Sequence, residues 1–203
     1  MSKTFSSRDT INLLQRMAYI AEYQEGDNIS HLERIKGYTY ILARGIGLDV
    51  EDAEAISVAS QLHDIGKFII PDEISNKTGK LNSEQWRIIK KHTTAGASLL
   101  QGFSSAIIQT ASQIALSHHE RWDGSGYPNG ISGDDIPIAA RICAIADVFD
   151  ALTTRRIYKA EITVIAARDL ILAASGVLFD PKLVEIFQEK YEEMTKFRIN
   201  TIG

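Results

Sequence analysis

Residues 138–155 read IAARICAIADVFDALTTR. Ile138, Ile142, Ile145, Phe149 and Leu152 recur at spacings of three and four, so one stripe of an α-helix carries them all inward. Asp147 interrupts this apolar run. An ionised carboxylate is costly to bury without a cation, so Asp147 is either exposed or matched to positive charge. The stretch therefore predicts a long inward-facing helix from Ile138 to about Arg155 that carries one chemically conspicuous residue.

The same periodicity extends in both directions, and alternating, strand-like segments are absent or short. Upstream, a first helix starts near Ser6, with Ser6 and Asp9 at capping-box spacing and Ile11, Leu14, Met17, Ala18 and Ala21 on one stripe. A second runs from Asn28 to Arg44 and stops at Gly45 and Gly47. Asp49 caps a third that reaches His63, after which Gly66 and Pro71 open a loop. Asn82 and Gln85 form a second capping-box pair, starting a helix through Trp86, read as a core residue, to His92. Another helix spans Ser104 to His118, and Gly124, Gly126, Pro128, Gly130 and Gly133 break the chain after it. Downstream, one helix runs from Thr163 to Ser175 and another begins at Pro181, a favoured first-turn position. The expectation is an all-α bundle of about seven helices with a Gly-rich loop.

Composition is compatible with this reading. The 203 residues are 44% hydrophobic and 24% charged, ordinary for one soluble domain. A net charge of −4 with scattered basic residues disfavours polymeric nucleic acid or an anionic membrane as the main partner. The single cysteine, Cys143, forms no internal disulfide, no apolar run approaches the ~20 residues of a membrane helix, and no signal-peptide core is evident. A cytoplasmic protein without membrane insertion is expected. Cys143, one turn before Asp147, reads as a small buried core residue.

The five histidines, His31, His63, His92, His118 and His119, fall on four predicted helices with about thirty residues between successive sites. A bundle can bring one side chain from each of several helices to a single point, as helical metal sites require. Asp64 follows His63 directly, and Asp27 precedes His31 by four residues, on the same helical face. Imidazole with carboxylate suits borderline divalent ions such as iron, manganese, zinc or nickel. Any one of these histidines alone reads as an ordinary hydrogen-bonded residue; the set together points to metal.

HDIGK (63–67), HTTAG (92–96), HHERWDGSGYPNG (118–130), ARICAIADVFDALTTRRIYK (140–159) and FDPKLVEIF (179–187) together resemble, in order, the HD-GYP domains, a bacterial signalling branch of the HD metal-dependent phosphohydrolases. The resemblance covers 27–203, leaving 1–26 as an N-terminal helix and the remnant of a connection to a regulatory domain. It implies an HD-domain-like helical bundle and hydrolysis of cyclic di-GMP, or of a related cyclic dinucleotide such as cyclic GMP-AMP, to linear pGpG and onward to GMP. A water bridging two metals would be the nucleophile, the ions sitting about 3.5–4 Å apart.

By position, the resemblance implies His31, His63, Asp64, His92, His118, His119 and Asp147 as ligands of a binuclear centre, with Asp64 bridging and iron or manganese favoured. Lys67 matches the lysine at the scissile phosphate, and Arg156 and Lys159 match basic residues that contact substrate, as does Tyr127 of the GYP loop. Glu120 is expected to accept an imidazole N–H. Two positions depart from the family pattern. Asp27 stands where three-metal members carry glutamate, which favours two ions and leaves Asp27 as the candidate ligand for a third. Ile157 replaces a customary proline, which re-aims Tyr158 and Lys159. A GGDEF-type or other signalling domain is the implied protein partner. Two alternatives are a general HD nucleotide phosphohydrolase and a slow or inactive cyclic dinucleotide receptor or interaction module.

Overall fold

A computed structural model describes residues 7–22, 29–75, 77, 79–154 and 161–201. Its α-helices are α1 (Ser7–Glu22), α2 (Ile29–Gly45), α3 (Val50–Ser60), α4 (Asp72–Ser75), α5 (Ser83–Leu99), α6 (Ala106–Ser117), α7 (Ile138–Thr153), α8 (Val164–Ala173) and α9 (Pro181–Thr201). Two 3-10 turns, Ile65–Ile69 and Gly133–Asp135, join them. The all-α expectation holds. The described residues contain more helical pieces than the seven or so expected, including the single turn of α4, and their β-type pairing is confined to an isolated bridge between Ser175 and Phe179. None of their helices is long and apolar enough to cross a membrane.

Local chemistry sets several boundaries. The Asp49 carboxylate accepts from the Asp52 amide at 2.8 Å, and Thr163 Oγ1 accepts from Ala166 at 3.2 Å. Asn82 and Gln85 close a full capping box, at 2.8 and 3.1 Å. Gly47 follows α2 with φ +94°, a conformation that a β-carbon would strain.

α2 packs on α3, α7 and α9, while α5 and α6 form a second pair joined to the first through α3 and α7. Phe149 of α7 sits fully buried where these layers meet, edge-on to Tyr38 at 5.3 Å and to Phe187 at 5.4 Å. Ile142, Ile145 and Cys143 are likewise buried, whereas Ile138, at the helix start, is 37% exposed. α1 buries Leu14 and Ala18 and lies against the turn at 65–69.

Two sequence expectations fail along α5. Trp86 is 48% exposed because the first turns of this helix project beyond the bundle, and its buried side chains begin only at His92. His92 is also not near a helix end; the helix continues through Gly96, which stays helical and meets another backbone.

Candidate metal centre

His31 lies in the first turn of α2, His92 in the middle of α5, His118 at the C-cap of α6 with His119 after it, and Asp147 on α7. His63 and Asp64 come from a tight turn after α3. There the His63 amide donates to Ser60 at 3.2 Å and the Lys67 amide to the Asp64 carbonyl at 2.9 Å. The loop expected from Gly66 is instead this 3-10 turn. Side chains three apart eclipse in such a turn, which sets Lys67 beside Asp64, while His63 precedes it.

The imidazole hydrogen bonds fix the tautomers. Nδ1 of His63 meets the Ser60 carbonyl at 2.9 Å, Nδ1 of His92 meets that of Ile89 at 2.7 Å, and Nδ1 of His118 meets that of Ile114 at 3.0 Å. Nδ1 of His31 meets the Asp150 carboxylate at 2.7 Å. A carbonyl or ionised carboxylate only accepts, so each Nδ1 must donate. In the neutral rings every Nε2 then carries a lone pair, and the lone pairs converge. Nε2 of His92 and His118 stand 3.5 Å apart, where two lone pairs repel unless a cation lies between them.

Ligand atoms of Asp64, His92, His118 and His119 lie within 4.8 Å of one another, and so do those of His31, His63 and Asp147. Asp64 touches both groups. Its Oδ1 is 3.1 Å from His92 Nε2 and 3.6 Å from His118 Nε2, while its Oδ2 is 3.2 Å from His63 Nε2 and 2.8 Å from Lys67 Nζ. Oδ1 is buried and accepts no hydrogen bond among the described residues. A buried anionic oxygen facing lone pairs rather than protons is costly unless a cation is shared. The donor set therefore fits divalent metal, in two adjoining groups.

Burial raises the Asp64 pKa, but the Lys67 ammonium, His63 and contacts from His118 outweigh it and hold the carboxyl well below its ordinary range. Burial lowers His118 against the opposing pull of Asp64, and burial with the neighbouring His118 lowers His119 further. These rings stay neutral, as metal ligation requires.

The loop after His119 folds back on it. A β-carbon at Gly126 would lie 2.4 Å from the Arg121 amide nitrogen and 2.6 Å from the His119 carbonyl oxygen, so only glycine permits the return. The Tyr127 amide donates to that carbonyl at 3.2 Å, and the Tyr127 ring stacks on His119 with centroids 4.8 Å apart. Lys90 Nζ stands over the Tyr127 ring, 4.9 Å from its centre. Glu120 does not accept from an imidazole: its carboxylate receives the amides of Asn129 at 2.7 Å and Gly130 at 3.0 Å and ties the loop shut. The Nδ1 protons of His63, His92 and His118 already go to carbonyls and that of His31 to Asp150, while the loop amides stand within hydrogen-bond reach of Glu120.

Of the sequence-predicted residues, His31, His63, Asp64, Lys67, His92, His118, His119, Asp147 and Tyr127 come together here. Asp27, Arg156 and Lys159 lie outside the described residues, as does Tyr158. Sequence reading missed Arg34 and Asp150, whose side chains are each 1% exposed. Asp150 is visible in the opening stretch, three residues after Asp147, and Arg34 three after His31; that double spacing is the signal that could have found them.

An HD domain family model matches residues 11–183, most of the chain. The chain belongs to the HD domain family. With HDIGK and GYP both present, this HD domain falls in the HD-GYP branch. It is 44% identical over 92% of its length to the 3'3'-cGAMP-specific phosphodiesterase 2 of Vibrio cholerae. It is also 44% identical over 85% to the cyclic di-GMP phosphodiesterase response regulator RpfG of Xanthomonas campestris. The HD domain here spans 36% and 46% of those relatives' own lengths. Its fold superposes with a TM-score of 0.66 at 20% identity on the crystal structure of a cyclic GMP-AMP specific phosphodiesterase of Vibrio cholerae, covering 95% of this chain and 53% of that one.

Proposed function

We propose that this HD domain is a metal-dependent phosphodiesterase that opens a cyclic dinucleotide, cyclic di-GMP or 3'3'-cGAMP, to the linear dinucleotide. The observation that carries the reading is the pair of donor groups meeting at Asp64: imidazole lone pairs on both sides and one carboxylate oxygen toward each. Named phosphodiesterases among the 44% identical relatives supply the substrate class.

In this proposal His92, His118 and His119 would hold one ion and His31, His63 and Asp147 a second, with Asp64 offering an oxygen to each group. Iron or manganese suits imidazole with carboxylate, with zinc or nickel less favoured. When bound, a divalent pair neutralises the phosphodiester and makes a water nucleophilic at neutral pH. Lys67 is 17% exposed at the mouth of the site and meets the non-bridging phosphate oxygen or the departing alkoxide. Tyr127 borders the substrate while holding the His119 ring. Arg156 and Lys159 contact the remainder of the dinucleotide, and Asp27 is the candidate for a third ion. The working compartment is the cytoplasm, with a signalling domain such as a GGDEF type as partner.

Protein reconstituted with Mn(II) or Fe(II) under reducing conditions should convert cyclic di-GMP or 3'3'-cGAMP to the linear form, separable by chromatography, and Asp64→Ala should abolish it. Cleavage of nucleoside monophosphates with both cyclic dinucleotides left intact would point to a general phosphohydrolase. Tight binding without turnover would point to a receptor.

A further inference from the structure

Three imidazoles of the centre lean on backbone carbonyls of their own chain segment, three or four residues back. His31 alone leans on a side-chain carboxylate, and from another helix. Asp150 is itself held by Arg34, whose Nε donates to Oδ1 at 2.6 Å and whose second terminal nitrogen donates to Oδ2 at 3.1 Å. Oδ2 also receives His31 Nδ1 at 2.7 Å. We propose that Asp150, braced by Arg34, is a positioning residue that makes the two ion positions unequal, governing the His31, His63 and Asp147 position and leaving the other untouched. The inference rests on the metal reading above.

Physical chemistry gives the direction. A charge-assisted bond is shorter and roughly twice as strong as a neutral one, and a carboxylate behind an imidazole raises the basicity of its outward nitrogen. Carbonyls do this less. Arg34 keeps the buried Asp150 ionised and aims it, because a lone carboxylate in this place would neutralise or draw in water. His31 and Arg34 share one face of α2, one turn apart, as Asp147 and Asp150 do on α7. α7 thus offers one carboxylate toward the ion and the next toward that ion's imidazole. The link is local: His92 and His118 donate their Nδ1 protons elsewhere and do not depend on it.

The test is metal titration of the chelator-stripped protein with Mn(II), followed by calorimetry and electron paramagnetic resonance. Wild type should bind two ions and give the spectrum of a coupled pair. Asp150→Asn keeps the shape and removes the charge. It should weaken one ion about 10–100-fold, the effect usual for removing an outer partner of a metal ligand, and leave the other within error, so that an isolated-ion spectrum appears at intermediate loading. A purely structural link would lower the thermal stability of the stripped protein but leave both ions at their wild-type affinities, and that result overturns the proposal. Arg34→Lys, which keeps charge and loses the fork, is the second variant should Asp150→Asn not fold. It should weaken the same single ion by a smaller factor, and equal weakening of both ions would also overturn the proposal. If wild type binds no ion at all, the metal reading fails instead.

Discussion

Gly66 and His92 touch through their backbones: a β-carbon on Gly66 would lie 2.0 Å from the His92 carbonyl oxygen and 2.5 Å from the Gly96 nitrogen. The turn carrying His63, Asp64 and Lys67 reaches α5 only because Gly66 has no side chain. Neither obstacle can swing away, since both are helix backbone. Gly66→Ala should therefore cost the metal-free protein about 1–3 kcal/mol, toward the upper end, as overpacking against rigid neighbours does. Denaturant unfolding of stripped protein measures it, and a midpoint equal to wild type would show that the turn has slack.

Glu120→Gln should loosen the GYP loop without displacing a histidine. The change removes charge from two buried-side contacts, to Asn129 and Gly130, each of the class worth about 1.5–3 kcal/mol when ionised. Amide exchange at Asn129 and Gly130 should rise at least tenfold, while Mn(II) stoichiometry stays that of wild type. Unchanged exchange would mean that the loop is held by other contacts.

Tyr127 separates two roles by substitution. Tyr127→Phe keeps the stack on His119 and should retain metal content, with any loss falling on KM for the dinucleotide. Tyr127→Ala removes the stacked ring and should also weaken ion binding by several-fold, read by titration. Equal metal affinity in both variants would confine Tyr127 to substrate contact.

Stability of the metal-free protein should fall with pH in two windows. Burial holds His118 and His119 below their ordinary 6.5, so beneath that pH the unfolded chain binds protons that the folded one refuses, and stability declines. Asp64 and Asp150 are held below 3.8, Asp64 chiefly by Lys67 and His63 and Asp150 by His31 and Arg34, in each case against burial. Their stabilisation is complete above that value and is lost as pH drops through the folded value. Unfolding midpoints at pH 8, 6, 5 and 3.5 should fall steadily; a flat profile from pH 8 to 5 would contradict the neutral imidazoles.

The parts of the molecule readable from sequence are those governed by local rules. Helical periodicity located α7 and its inward face, and Asp49, Asn82 with Gln85, and Thr163 cap the helices where the side-chain chemistry required. The metal-ligand candidates stood out because histidines are few and spread over four predicted helices. Partnerships between distant helices were not legible. Nothing in the order of residues says that Asp150 meets His31 and Arg34 across 119 and 116 positions, or that Glu120 turns toward amides rather than imidazole. Trp86 looked like core because periodicity assigns a face to a residue but not the distance that a helix projects past its neighbours.

The donor atoms of the centre come from α2, the turn after α3, α5, the end of α6 and α7, so no stretch of fewer than 117 consecutive residues, His31 to Asp147, holds them all. An ion bound there closes several long chain loops at once, as a set of cross-links would. Half-folded forms of the chain, and fragments cut anywhere between those residues that fail to reassociate, lack a complete set of donors. Ion binding at this centre then reports on the finished fold, because the donor set is complete only when all five segments are in place.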